Sequence, residues 1–134
     1  MEYGSGRATS FVLAASLLLA PLPARAETWL LVTSANDGSQ YYQDTSSIRR
    51  DENVAVVWEK VVYPEARPNG TKYRIARYRY NCEAGTGTVL NATTYKDDGS
   101  VVYSVTYATS EQKERQLVPE SVGRELLDAI CSNQ

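Results

Sequence analysis

The 134 residues include no histidine and two cysteines, Cys82 and Cys131. Without histidine there is no Ser-His-Asp or Cys-His relay, and the commonest metal ligand is missing. Two thiols bonded to each other leave no soft ligands for a tetrahedral zinc site. The remaining acid–base candidates are Asp97-Asp98 and Asp51-Glu52, each in a turn-forming stretch. Such a pair could bind calcium weakly or pass a proton, but adjacent carboxylates in turns are ordinarily solvated. Glu83-Ala-Gly-Thr-Gly-Thr88 is glycine-rich yet lacks the lysine of a phosphate loop, and reads as a bend or bulge. Asn69-Gly-Thr71 and Asn91-Ala-Thr93 fit the glycosylation sequon. These residue types predict no enzyme, no cofactor and no metal.

Binding chemistry is richer. Lys72-Tyr-Arg-Ile-Ala-Arg-Tyr-Arg-Tyr-Asn-Cys82 alternates as a strand. If Cys82 bonds Cys131, then Ala76, Tyr78 and Tyr80 face the C-terminal segment with it. Tyr73, Ile75, Arg77 and Arg79 point the other way. Tyr73, Arg77 and Arg79 are therefore the candidate binding residues. An aromatic and basic strip of this kind can stack single-stranded nucleic acid. The chain, however, sets 14 Lys and Arg against 16 Asp and Glu, a net charge of −2. That balance predicts no nucleic-acid partner and no anionic membrane surface.

The elements that position this strand are legible in part. Residues 1–26 read as a signal peptide: Arg7, the apolar run Phe11 to Ala20, Pro21 and Pro23, and the small-x-small Ala24-Arg25-Ala26. The run is too short to span a bilayer, and no later stretch is long enough, so no stable membrane insertion is expected. The predicted mature domain is 27–134. An exported chain oxidises its thiols, which predicts a Cys82–Cys131 disulfide. Val122, Leu126, Leu127, Ile130 and Cys131 share one side of an amphipathic helix, with Arg124, Glu125 and Asp128 opposite and Pro119 suited to its first position.

Strands are expected over Thr28–Thr33, Gln40–Asp44 and Val54–Tyr63, with Asp44 to Ile48 as a capped turn. Val89 to Thr106 reads as a hairpin on a two-residue Asp98-Gly99 turn, pairing Thr94 with Tyr103 and Ala92 with Val105. Ala108 to Gln116 reads as an exposed connection. The Val54 strand is apolar on both sides, Val56 and Trp58 on one and Val57 and Val61 on the other. It calls for cover on both, the helix on one and a second copy of the chain on the other, which predicts a homodimer.

The ordered set Trp29-x-x-Val32, Asp37-Gly38, Tyr41-Tyr42-x-Asp44-x-x-Ser47-Ile48 and Val54-x-Val56-x-Trp58 resembles the bacterial surface-adhesin protein E-like domain. So do Cys82, Tyr95-x-x-x-Gly99-x-Val101-Val102 and Pro119-x-Ser121-Val122-Gly123-x-x-Leu126-Leu127-x-x-x-Cys131. The resemblance implies an α+β fold, an antiparallel β-sheet packed against one C-terminal α-helix tied by a disulfide. It also implies export by Gram-negative bacteria and an adhesin-like, macromolecule-binding envelope protein whose partners are host or envelope proteins. The sequence departs from the family pattern at Glu114, where tryptophan is expected, and at Glu120, where glycine is. It lacks a lipid-accepting cysteine, which shifts the expected location from the cell surface to the periplasm. The alternative reading is a periplasmic small-ligand-binding or enzyme-inhibitor module using the loops at Asp37-Gly38 and Pro64 to Thr71.

Overall fold

Three turns of one kind set the registers of the sheet. In the computed structural model, which describes residues 4, 6, 18–21 and 26–132, Gly38, Gly70 and Gly99 take φ of +90°, +87° and +85°. The N–H of each donates to the carbonyl three residues back, on Ala35, Arg67 and Lys96 respectively. The side chains of Asp37, Asn69 and Asp98 accept from the N–H of Ser39, Thr71 and Ser100. A left-handed residue closing a three-residue loop favours glycine, and the preceding Asx side chain mimics a backbone turn. Most of the signal peptide expected over 1–26 lies outside the described residues.

These turns lead a meander through β1 (Trp29–Ser34), β2 (Gln40–Asp44), β3 (Arg49–Asp51), β4 (Val54–Val62), β5 (Tyr73–Asn81), β6 (Thr86–Tyr95), β7 (Val101–Thr106) and β8 (Arg115–Gln116). All pairings are antiparallel, in the order β1-β2-β4-β5-β6-β7, with β3 also beside β4 and β8 beside β6. The one α-helix among the described residues, α1 (Val122–Cys131), follows the last strand. The architecture is the α+β arrangement the sequence implies.

The β6–β7 hairpin has the expected pairs, Thr94 with Tyr103 and Ala92 with Val105. Its turn is one residue longer than expected, Asp97-Asp98-Gly99. A register shift between Thr94 and Tyr95 leaves Val102 as the extra residue and restores the pairing. The glycine-rich stretch belongs largely to β6, because the tight turn from Asn81 to Gly85 lets pairing resume at Thr86. Gly87 admits the Tyr80 ring, whose edge lies 3.2 Å from where a Cβ would stand. Pro119 is not in the helix. It sits in the Val118–Ser121 turn, closed by Ser121 N–H donating to Val118 O, with Glu120 left-handed at φ +65°. Ser121 is the true cap: its hydroxyl accepts from Arg124 N–H at 3.2 Å.

Leu126, Leu127 and Ile130 of α1 bury themselves against Ala55, Val57 and Tyr80 of the sheet. At the helix end Cys131 is bonded to Cys82, just past β5. Along β4 the odd positions Ala55, Val57, Glu59 and Val61 are buried under the helix side. The even positions Val54, Val56, Trp58, Lys60 and Val62 are only half-buried. One face of the sheet is thus a core wall, and the other is bare of any helix among the described residues.

Candidate functional site

Cross-strand partners project from the same side of a sheet, so the pairings show what shares the bare face. Trp58 stands opposite Arg77, Lys60 opposite Ile75, Val62 opposite Tyr73, and Tyr73 opposite Tyr95. On the other flank Tyr42 stands opposite Lys60 and also opposite Leu31. Tyr73 and Tyr95 stack with ring centres 4.8 Å apart. The Lys60 ammonium lies 4.6 Å from the Trp29 ring centre and 5.2 Å from that of Tyr42. Trp29, Trp58, Arg77 and Tyr95 border a shallow hollow of about 490 Å³.

Tyr73, Arg77 and Arg79 all lie on this face, but in three different states. Tyr73 is locked in its stack, and Arg79 is half-buried, donating to Gln112 at 3.1 Å. Arg77 is exposed. Trp29, Tyr42, Trp58, Lys60 and Tyr95 complete the surface and were not named as binding residues from sequence. Their alternation within each strand was readable; the registers that bring β1, β2, β4 and β6 beside Tyr73 were not.

Under the helix lies a second feature, a cleft of about 600 Å³. Tyr41, Tyr78, Tyr80, Tyr107, Glu59 and Leu126 line it, and exposed Glu111, Lys113 and Arg115 form its outer edge. Glu59 is 6% exposed. Its carboxylate accepts from the Tyr80 hydroxyl at 2.7 Å and from Gln43 Nε2 at 2.8 Å. The same Gln43 nitrogen donates to the helix carbonyl of Leu126 at 2.9 Å, so Gln43 links the buried acid to α1. Burial pushes the Glu59 carboxyl up to about 7, while the bonds from Gln43 and Tyr80 and the Arg74 charge pull it down. Burial likewise raises Tyr80 well above the usual phenol range, with the nearby Glu59 charge adding to it. No sequence signal marked Glu59; alternation alone places it on the helix side of β4.

The connection from Ala108 to Gln116 is not a plain surface loop. It contributes β8 and part of the cleft edge, and the Glu114 carboxylate accepts a hydrogen bond from the Thr86 hydroxyl. The loops at Asp37 and Pro64 to Pro68 border only an open, shallow depression of about 490 Å³. No group of three or more metal-ligating side chains is gathered among the described residues. No helix among them is long and apolar enough to cross a membrane.

Comparison with solved structures finds the same fold in protein E of Haemophilus influenzae. Crystal form II of that protein matches with a TM-score of 0.57 at 19% identity, over 86% of this chain and 95% of the other. A second structure of it gives 0.54 at 21% identity, covering 86% and 92%. Protein E from non-typeable Haemophilus influenzae gives 0.54 at 19%, covering 86% and 82%. No curated protein sequence matches. The family model for surface-adhesin protein E matches residues 29–132, from the first strand to the residue after the disulfide, and the chain belongs to that family.

Proposed function

We propose that this protein is an exported, non-catalytic envelope module that binds another protein through the bare face of its sheet. The observation that carries the reading is the composition of that face. Five aromatic rings and the cations Lys60, Arg77 and Arg79 gather on one side of a chain whose net charge is −2. Aromatic rings and arginine supply most of the energy in protein interfaces. A cationic patch steers an acidic partner and rejects basic ones. Membership in an adhesin family supports the same class of partner, a host or envelope protein, and with it the absence of catalysis.

The test is binding of the disulfide-bonded protein to immobilised extracellular-matrix and plasma proteins. Arg77→Glu with Arg79→Glu should weaken saturable binding by about tenfold or more and reduce its salt dependence. Undiminished binding by the double variant, with an unchanged melting curve, would remove this face as the docking surface.

A further inference from the structure

The tyrosine cleft lies on the opposite side of the sheet from the docking face, and its chemistry is different. Its volume of about 600 Å³ falls in the range of small-molecule sites, roughly 300–1,000 Å³. Glu59 lines the cleft, held by hydrogen bonds from Tyr80 and Gln43, with no cation at salt-bridge distance among the described residues. The ion pair present among the described residues is Arg124–Asp128, on the outer side of α1. Arg74, whose charge acts on Glu59, is turned to Tyr78, donating to its hydroxyl at 2.6 Å. That charge acts without a direct bond between Arg74 and Glu59, and a buried carboxylate that is not directly paired is costly unless it is protonated. Tyr78 and Tyr80 stack with ring centres 5.8 Å apart and the Arg74 guanidinium lies 6.0 Å from the Tyr78 ring centre, so Tyr41 and Tyr107 are the lining rings whose faces a ligand cation would use.

We propose that this cleft binds a small organic cation, an amine or quaternary ammonium on an apolar body, whose charge pairs with Glu59 against the tyrosine rings. Val89, Leu117, Val122 and Leu126 supply the apolar wall for the body of the ligand. Lys113 and Arg115 at the exposed edge are screened by solvent and balanced in part by Glu111. They act on entry more than on the bound state.

The groups facing Glu59 are Gln43 and Tyr41 of β2, Arg74, Tyr78 and Tyr80 of β5, and the Leu126 carbonyl of α1. Burial holds the tyrosines above their usual range, and arginine stays charged, so Glu59 alone titrates near neutrality. Binding of a permanent cation therefore weakens as pH falls below 7.

Benzyltrimethylammonium is the probe, titrated into the disulfide-bonded protein at pH 8 and pH 5.5 by calorimetry. Saturable binding at pH 8, several-fold weaker at pH 5.5 and weakened at least about tenfold by Glu59→Gln, is the expected result. Val122→Trp, which fills the cleft from the helix and leaves Glu59 in place, should abolish binding and serves if Glu59→Gln does not fold. Equal binding of uncharged neopentylbenzene or of 4-tert-butylbenzoate would overturn the proposal. So would undiminished binding by both variants, or no binding of the cation at millimolar concentration. None of these outcomes depends on Arg77 or Arg79, so the docking face is tested separately.

Discussion

Glu59 couples the acid–base state of one side chain to the stability of the whole domain. Its carboxyl titrates at about 7 in the fold against 4.5 in the open chain. A raised carboxyl pKa means the folded state holds its proton longer than the unfolded state does. Stability is then full below the unfolded value, is lost as pH rises from about 4.5 to about 7, and is level above. A shift of that size corresponds to about 3 kcal/mol. Urea midpoints should accordingly be higher at pH 5 than at pH 8, and Glu59→Gln should flatten the difference. A wild-type midpoint rising from pH 5 to pH 8 would contradict this account. Asp37 and Asp98, each held low by hydrogen bonds from Ser39 and Ser100, act in the opposite direction and only at more acid pH. A second residue-scale prediction concerns Glu120, left-handed at φ +65° in the turn before the helix. The family resemblance leads to glycine being expected there, and a non-glycine residue pays about 1–2 kcal/mol for that conformation. Part of this is recovered because glycine is freer when unfolded, so Glu120→Gly should stabilise by about 0.5–1 kcal/mol. Urea denaturation reads it directly. The departure at 120 was visible in the sequence; the reason it matters is a dihedral angle, which no residue pattern displays.

Among the elements, α1 depends most on a covalent tie. It has ten residues, a length marginal for an isolated helix in water, so burial of Leu126, Leu127 and Ile130 and the bond from Cys131 to Cys82 must hold it. The closed loop spans 49 residues, which on the chain-entropy model stabilises the fold by about 4 kcal/mol. Replacing both cysteines with serine should lower the melting temperature by about 20 °C. Amide exchange at Ala129 and Ile130 should accelerate before that of the β4 and β5 amides. Equal acceleration throughout would mean that helix and sheet open as one unit. The helix and its buried side were readable because five apolar positions at helical spacing admit few other arrangements. Its start was not, since Pro119 suits a type II turn as well as a first helical position. The hairpin shows the same division. The alternation of β6 and β7 fixed which residues pair, while the exchange of a longer turn for a bulge at Val102 left no trace in that alternation.

At the scale of the molecule, the mixed character of β4 forecast that both faces would need cover, and α1 supplies one. The bare face is a poor surface for a second copy placed symmetrically upon it. A two-fold axis passing among Lys60, Arg77 and Arg79 would bring these cations of one protomer toward those of its partner, at a cost in like-charge contact. The free edges offer a better route to the homodimer expected from the sequence. β1 and β7 end the sheet, and both carry exposed apolar side chains: Leu30 and Leu31 at 59% and 46%, Val101 and Tyr103 at 58% and 61%. An unpaired edge of this kind presents a ladder of N–H and C=O groups to another strand. Antiparallel pairing of two β7 edges would continue the sheet across the axis and leave the cationic face and the tyrosine cleft open on each protomer. Light scattering at micromolar concentration should then give twice the chain mass. Val101→Lys with Tyr103→Lys, which charges the edge without touching the core, should return it to the mass of one chain. Arg77→Glu with Arg79→Glu should leave the dimer intact. A single-chain mass for the unmodified protein would exclude the dimer, and a dimer lost on reversing the arginines would move its interface back to the face.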